Sequence, residues 1–204
     1  MQQIKNIIFD LGGIFMNINF SKTEAAFAAL GISDFNKYIT QHTITDLFEH
    51  LETGKISPEE FYDLFRKESG TNLSNEQIAF AWNALLLDFP LDRLQWLDAI
   101  RKKYKVYLFS NTNKIHYDAF MDLYAQQTGD TNFNGYFIKA YYSHELGLRK
   151  PYPESYLKIL EEQQLLAAET VFIDDTIKNI EGAQQAGLQT IHLFHPKTVL
   201  DLDL

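Results

Sequence analysis

Side chains that can carry out nucleophilic or acid–base chemistry occur in four places that lie far apart in the sequence. They are Asp10, the pair Ser110 and Asn111, Lys150, and the pair Asp174 and Asp175. A carboxylate can act as a nucleophile or bind a hard cation, and a hydroxyl or an amide can donate hydrogen bonds to an anion. A lysine supplies a compact positive charge. Together these residue types suit the transfer of an anionic group such as phosphate, provided that the fold brings them together.

Three of the four places directly follow a short apolar run. The runs are residues 7–9, 106–109 and 171–173. Continuous apolar runs of this length between helical patterns are typical of strands buried on both faces of a parallel sheet. The carboxyl ends of such strands lie at the edge where ligands bind, so Asp10, Ser110 and Asp174 are expected to converge. Two further strands are predicted at Tyr136–Tyr142 and Gln189–Leu193.

Helical patterns separate these strands, which predicts an α/β fold with a Rossmann-like core and a parallel sheet. Helices are predicted at Glu154–Glu162 and Ile177–Ala186, and Gly187 is a candidate C-cap for the second helix.

The segment from Ser21 to Pro90 breaks this alternation, because it contains helical patterns but no convincing strand. The predicted helices are Thr23–Leu30, Asp46–Leu51, Pro58–Lys67 and Asn75–Leu87. Ser57 and Glu60 have the spacing of a capping box at the start of the third. We therefore predict a core domain formed by residues 1–20 and 91–204 and an inserted all-helical cap domain at residues 21–90. An insert at this edge of a sheet is expected to lie over the site as a lid.

The bulk composition narrows the classes of function. The chain has 204 residues, a formal net charge of -9, 46% hydrophobic residues and no cysteine. Its acidic balance argues against nucleic acid or an anionic membrane surface as the main partner. The lack of cysteine excludes disulfides, thiolate catalysis and thiolate metal sites. Because no apolar stretch has the length of a signal sequence or a membrane span, we expect a cytoplasmic protein that acts on a small molecule.

The four sets of residues resemble, in order and spacing, the motifs of the haloacid dehalogenase superfamily. Residues 10–13 are similar to its first motif, residues 110–112 to its second, Lys150 to its third, and the pair Asp174 and Asp175 to its fourth. The position of the helical insert resembles the subgroup with a small helical cap. Within it, the motifs look most like those of bacterial sugar-phosphate phosphatases, including those that act on α-D-glucose 1-phosphate.

The resemblance implies a role for each residue in a magnesium-dependent phosphatase. Asp10 would attack phosphorus and form an aspartyl phosphate, and Lys150 would neutralise the charge of nucleophile and phosphate. A magnesium ion would be held by Asp10, the carbonyl of Gly12 and Asp175, with Asp174 as an outer or water-mediated ligand. Ser110 and Asn111 would bind phosphate oxygens. In the insert, Trp82 and Asn83 are candidates for contact with a sugar ring.

Gly12 stands where most phosphatases of the superfamily have a second aspartate that protonates the leaving alcohol. Glycine cannot transfer a proton, so the substrate would need a good leaving group or an acid from elsewhere. The candidate acids are His42, His50, Glu52 and His116. Two alternatives stay open at this point. One is a carbon–halogen hydrolase of the dehalogenase type, against which the adjacent acids of the fourth motif speak, and the other is a non-catalytic protein that binds a phosphorylated metabolite or a partner.

Overall fold

The computed structural model describes residues 3–38 and 44–204. Five parallel strands form a sheet with the order β3-β2-β1-β4-β5. The strands are β1 (Asn6–Phe9), β2 (Lys105–Ser110), β3 (Lys139–Tyr142), β4 (Thr170–Asp174) and β5 (Gln189–His192). The sheet confirms the predicted α/β class with a parallel core.

Helices cover both faces of the sheet and fill the segment between β1 and β2. They are α1 (Phe20–Ala29), α2 (Asp46–Glu52), α3 (Pro58–Ser69), α4 (Asn75–Asn83), α5 (Leu91–Ile100), α6 (Lys114–Thr128), α7 (Ser143–Leu146), α8 (Pro153–Glu162) and α9 (Ile177–Gln185). Short 3₁₀ turns occur at Phe35–Lys37, Phe133–Tyr136, Ala167–Glu169 and Val199–Asp201. Among the residues that the structure describes, no helix has the length and apolar character needed to cross a membrane.

Side chains alternate between the two faces of each central strand, which divides the core into two layers. In β1, Ile7 and Phe9 pack on one face of the sheet, whereas Ile8 packs on the other. Phe9 is paired in register with Leu108 of β2 and Ile173 of β4. Since these three residues are level with one another, the polar residues that follow them emerge at the same edge of the sheet.

Helices α1 to α4 surround an apolar cluster of their own, which we call the insert core. Its large buried rings belong to Phe27, Phe35, Phe48, Phe61, Phe65 and Trp82. Ser57 begins α3 with the predicted capping box, in which its side chain accepts from the Glu60 amide and Glu60 accepts from the Ser57 amide. Aromatic burial therefore holds these helices together, and Ile115 of α6 is a further member of the cluster.

Two linkers that join the insert to the sheet pair with each other. The Asn17 amide donates to the Asp88 carbonyl at 2.8 Å, and the Asn17 carbonyl accepts from the Leu87 amide at 3.0 Å. The predicted helix over residues 75–87 was therefore too long, because its last residues form this pairing and α4 ends at Asn83. The predicted strand over residues 136–142 was also too long, because a 3₁₀ turn holds Tyr136 and β3 begins at Lys139.

Candidate active site

The ammonium group of Lys150 lies between two carboxylates at the carboxyl edge of the sheet. Its Nζ atom is 2.6 Å from Oδ1 of Asp10 and 2.7 Å from Oδ2 of Asp174. Lys150 and Asp174 are almost completely buried, and Asp10 is 8% exposed. Burial alone would lower the pKa of Lys150, but the charges of Asp10 and Asp174 outweigh burial and raise the pKa, so the amine stays protonated. The strand ends thus bring together three residues that are 24 to 164 positions apart in the chain.

The loop that carries Lys150 is fixed by the side chain of Asn111. The Asn111 Nδ2 atom donates to the Lys150 carbonyl at 2.9 Å, and the Lys150 amide donates to Asn111 Oδ1 at 2.9 Å. The sequence predicted that Asn111 would bind phosphate. Both polar atoms of the amide are engaged by the backbone of Lys150, and a role for Asn111 in binding phosphate stays a prediction. Asn111 connects the end of β2 to the lysine loop and positions Lys150.

Asp174 and Asp175 have different surroundings although they are adjacent. Asp174 accepts hydrogen bonds from the Thr176 amide at 2.8 Å and from Asn179 Nδ2 at 3.0 and 3.1 Å, in addition to Lys150. Asp175 is partly exposed and accepts from Thr176 Oγ1 at 3.1 Å. The charge of Asp174 is therefore balanced within the protein, whereas that of Asp175 is available to a ligand. Asn179 was not predicted as a site residue; its signal in the sequence is its place in the first turn of α9.

Three carboxylates at this edge form a candidate cation site. Oxygen atoms of Asp10, Asp174 and Asp175 all lie within 4.8 Å of one another. Burial raises the pKa of Asp10 to about 7 and that of Asp175 to about 6, against the effect of Lys150. One lysine does not offset three acids, so a hard divalent cation fits the charge and the oxygen ligands present. Asp175 and Asp10 are the acids least engaged by protein donors.

The loop after β1 closes around this cation site. A Cβ atom on Gly13 would lie 2.4 Å from Oδ2 of Asp175, and the residue has a φ of +75°. Glycine is therefore favoured here both by its backbone conformation and by the approach of the carboxylate, which would have to shift to admit a side chain. Gly12, the predicted carbonyl ligand, lines the cavity beside Asp10.

A cavity of about 270 Å³ opens between the sheet edge and the insert. Asp10, Ser110, Lys150 and Asp175 line one part of it, and the opposite walls are largely apolar. The apolar walls are formed by Met16, Ile18, Phe20, Ile44, Trp82, Leu85, Leu86 and Phe120. Trp82 therefore reaches the cavity, although it is 1% exposed and belongs to the insert core.

Asn83 does not reach this cavity. It lines a separate depression with Lys114, Asp118 and Asp122 on the outer surface. The predicted pairing of Trp82 and Asn83 on one substrate therefore fails, because successive residues of a helix point in different directions.

The four candidate replacements for an acid at position 12 differ in their position relative to the cavity. Glu52 and His116 line the cavity, whereas His50 is exposed on α2 and is not among the lining residues. His42 lies outside the described residues. Burial lowers the pKa of His116 to about 3, and its Nε2 atom is 3.2 Å from the Trp82 carbonyl. His116 is therefore neutral near neutral pH and unsuited to act as an acid.

Glu52 is the remaining cavity-lining candidate. Its Oε2 atom is 3.0 Å from Nε of Arg149, and burial raises its pKa while the charge of Arg149 opposes the shift. The ion pair joins α2 of the insert to the residue that precedes Lys150.

Comparison with known proteins decides the family. Residues 4–187 match the model of the haloacid dehalogenase-like hydrolases. The chain belongs to this family. It is 33% identical over 198 residues, covering 97% of this chain and 94% of the relative, to a D-ribitol-5-phosphate phosphatase from Bacteroides thetaiotaomicron.

Solved structures of this family share the fold over nearly the whole chain. A wild-type haloacid dehalogenase (HAD) family enzyme from Bacteroides thetaiotaomicron, in complex with magnesium and inorganic phosphate, has a TM-score of 0.82 and 33% identity and covers 95% of this chain and 96% of that one. A predicted HAD-like family hydrolase from Porphyromonas gingivalis has a TM-score of 0.84 and 30% identity, covering 93% and 90%. The family resemblance drawn from the four motifs is thereby confirmed.

Proposed function

We propose that this HAD-family protein is a magnesium-dependent phosphatase that hydrolyses small phosphate monoesters, with Asp10 as the nucleophile. The observation that carries the proposal is the buried contact of Lys150 with Asp10 beside two further acids. A lysine in this place favours the carboxylate form of the nucleophile against the effect of burial on its pKa, and it leaves Asp175 to a cation. The names of the relatives, one a phosphatase and one solved with magnesium and phosphate, support the same activity.

Magnesium would be held by Asp10, Asp175 and the Gly12 carbonyl, with Asp174 outside the direct ligands. When bound, the ion would offset the negative charge of the phosphate and of these acids. Lys150 occupies Oδ1 of Asp10, so we assign the attack on phosphorus to Oδ2. The new bond gives an aspartyl phosphate while the ester bond breaks and the leaving group departs as an alkoxide, which takes a proton from solvent; water then attacks phosphorus, which breaks the bond to Asp10 and releases phosphate. Ser110 lines the same cavity, which supports a role for its hydroxyl as a donor to a phosphate oxygen.

The helical insert is proposed to be a cap domain, with boundaries at residues 21 and 90. Its own aromatic core, and the paired linkers at residues 17–19 and 85–88, support this division. Trp82 and Glu52 are among the insert residues that line the cavity. A cap in this position would exclude bulk water from Asp10 during attack.

Because residue 12 is glycine, the first motif offers no acid to protonate the leaving group. A Cβ at this position would approach Ile18 Cδ1 to 3.0 Å, so the cavity side of Gly12 is already occupied by an apolar side chain. We therefore propose substrates with alcohols that depart with little help, as in α-D-glucose 1-phosphate. D-Ribitol 5-phosphate, the substrate in the name of a relative of high coverage, is the second candidate; its leaving group is a primary alkoxide, which would need a proton donor other than residue 12.

The carbon–halogen hydrolase and the non-catalytic protein remain as alternatives. Asp174 and Asp175 argue against the first, since a cluster of three acids suits a cation and the dehalogenase reaction uses none. The engaged and buried Lys150 argues against the second, because holding an ammonium between two buried acids costs desolvation energy that a disused site would not need.

The test is a phosphate-release assay on D-ribitol 5-phosphate, α-D-glucose 1-phosphate and p-nitrophenyl phosphate, with magnesium and with a chelator. We expect release that requires magnesium and is abolished by Asp10→Asn, whereas Asp122→Asn, an exposed acid on α6, keeps full activity. Phosphate release that survives Asp10→Asn would contradict the nucleophile assignment. Magnesium-independent halide release from 2-chloropropionate would instead support the dehalogenase reaction.

A further inference from the structure

The wall of the cavity contains a second buried ion pair, which the proposed chemistry does not use. Arg149 Nε donates to Glu52 Oε2 at 3.0 Å, and the two side chains are 13% and 11% exposed. Glu52 belongs to α2 of the insert, and Arg149 precedes Lys150 in the core. Both line the cavity that contains Asp10.

Stability alone does not explain this pair. Taking two charges out of water costs free energy that their attraction only partly returns, and apolar replacements are often as stable. Binding of a ligand to the two charged side chains would account for their presence in the cavity wall.

The hydrogen-bonding capacity of the cavity points to such a ligand. The other amide and imidazole side chains of the wall are engaged by protein, namely Asn111 by Lys150, Asn179 by Asp174 and His116 by Trp82. Arg149 differs, because its Nη1 and Nη2 atoms make no hydrogen bond within 3.5 Å to the described residues; Nη1 is 3.8 Å from Glu49. Oε1 of Glu52 is likewise unbonded within the described ranges.

The pair therefore presents donors and an acceptor side by side. A guanidinium only donates hydrogen bonds and a carboxylate only accepts them, whereas a hydroxyl group does both. Two neighbouring hydroxyls can accept from Arg149 and donate to Glu52 without breaking the ion pair. An anionic group at the same place would be repelled by Glu52, and a bare hydrocarbon would leave the free N–H groups unpaired.

We propose that Glu52 and Arg149 determine specificity by binding hydroxyls of a neutral, polyhydroxylated leaving group, such as an open-chain or cyclic polyol. This inference rests on the proposed phosphatase activity at Asp10. The carbon chain of the leaving group lies against the apolar wall formed by residues such as Met16, Ile18 and Leu86. Phosphate esters whose leaving group carries a carboxylate, and nucleotides with several phosphates, are disfavoured by the negative charge of Glu52.

The test compares a hydroxylated with a hydroxyl-free substrate. For Glu52→Gln we expect kcat/KM on D-ribitol 5-phosphate to fall roughly 10- to 100-fold, the value of a hydrogen bond to a charged group, while kcat/KM on phenyl phosphate changes less than about threefold. Glu49→Gln is the matched control. Glu49 lies one turn earlier on α2 and 3.8 Å from the same arginine, but it does not line the cavity, and both substrates should be unaffected.

Arg149→Lys provides a second variant that keeps the charge and removes the planar fork of donors, so the same substrate selectivity should be lost. Equal losses on both substrates in the two variants would overturn the proposal and leave the pair a structural role. Recovery of selectivity with Glu52→Asp would support it.

A binding arm separates this inference from the proposed function. Calorimetry with the Asp10→Asn chain and magnesium measures affinity for the two phosphates without turnover. We expect the polyol phosphate to bind more tightly than phenyl phosphate, and Glu52→Gln in the same background to abolish the difference. If the polyol phosphate binds no more tightly than phenyl phosphate, the specificity proposal is overturned. If the unmodified chain releases no phosphate, the proposed phosphatase activity is overturned, and the binding measurement alone then decides whether Glu52 and Arg149 bind hydroxyls.

Discussion

The carboxyl edge of the sheet and the insert core bury their residues in opposite ways. At the sheet edge Lys150 is enclosed by Asp10 and Asp174 in ion pairs of 2.6 and 2.7 Å, and an amide side chain fixes its loop. In the insert core, rings fill the interior, as in the stacked pair Phe27 and Phe35 with centroids 4.1 Å apart. One region therefore depends on charges at fixed positions and the other on apolar volume.

The two regions should respond differently to mutation. Buried charges contribute little net stability while they are paired, but they are costly when one partner is removed. Apolar packing contributes stability in proportion to the volume buried and tolerates changes that leave the reacting atoms in place. Substitutions at the sheet edge should lower activity and, where they leave a buried charge unpaired, also the free energy of unfolding, whereas those in the insert core should lower the free energy of unfolding alone.

The largest effect is expected for Lys150→Met, which keeps the length of the side chain and removes its charge. Loss of the charge that holds the nucleophile should lower kcat/KM for phosphate release on the order of 10³-fold. Asp10 and Asp174 would also face each other without a cation between them, so the free energy of unfolding in a chelator should fall by about 3 to 5 kcal/mol. Steady-state kinetics and urea unfolding measure the two effects.

Lys158→Met is the control for this variant. Lys158 pairs with Glu162 on the surface of α8 at 3.2 Å, and both side chains are well exposed. Its loss should change stability by less than about 1 kcal/mol and leave kinetics unchanged. If Lys150→Met behaved like this control, the sheet edge would not depend on buried charge as described.

Phe61→Ala tests the other half of the comparison. Phe61 is fully buried in the insert core, and truncation leaves a cavity that should reduce the free energy of unfolding by about 3 to 5 kcal/mol. At a temperature where the variant is folded, kcat should change less than about threefold. Phe80→Ala on the neighbouring α4 is the control, because Phe80 is 76% exposed and its loss should cost little. A large drop in kcat without loss of stability would show that the insert core also positions reacting groups.

Much of the fold could be predicted because its signals are local. Apolar runs followed by Asp10, Ser110 and Asp174 identified three adjacent strands, and the capping box at Ser57 identified the start of α3 to the residue. The end of α4 could not be located, because the residues after Asn83 pair with the chain near Asn17, far away in sequence. Helical periodicity does not reveal such non-local hydrogen bonds.

The site was predictable by residue type and less so by role. The residue type and position of Asn111 predict a ligand for phosphate, whereas its hydrogen bonds with the Lys150 backbone depend on a loop 39 residues later. The pairing of Glu52 with Arg149 joins two segments 97 residues apart, and neither residue alone carries a signal of it. Tertiary contacts decide what a polar side chain does once the strands have brought it to the edge.

His116 lies between the two regions and provides a pH-dependent test. Its ring is close to Trp82 of the insert core, with centroids 4.3 Å apart, and it is carried by α6, outside the insert. Burial lowers its pKa from 6.5 to about 3. The unfolded chain therefore binds a proton at this residue over a range where the folded chain does not, and stability must fall as the pH decreases below about 6.5.

The contribution of His116 should amount to about 2 kcal/mol between about pH 7 and about pH 5. The raised pKa values of Asp10 and Asp175 act in the opposite direction, so the unmodified chain alone does not isolate it. His116→Gln keeps a donor for the Trp82 carbonyl and removes the titration. Urea unfolding at both pH values should show that the stability difference between the two proteins changes by this amount. An unchanged difference would mean that His116 titrates alike in the folded and the unfolded chain, so that burial does not lower its pKa.

The smallest effect is expected at Gly13, where the sheet edge needs room for the Asp175 carboxylate rather than a charge. Gly13→Ala places a methyl group 2.4 Å from the Asp175 carboxylate and strains a backbone with φ +75°, so we expect magnesium to bind about tenfold more weakly in the activity assay. Gly129→Ala is a matched control, because Gly129 has φ +74° and nothing lies within 4 Å of the added Cβ. Both variants should lose about 1 to 2 kcal/mol of stability from backbone strain, but only Gly13→Ala should shift the magnesium requirement. A shift of equal size in both would assign the effect to general loosening of the fold, and no shift in either would place the cation away from Asp175.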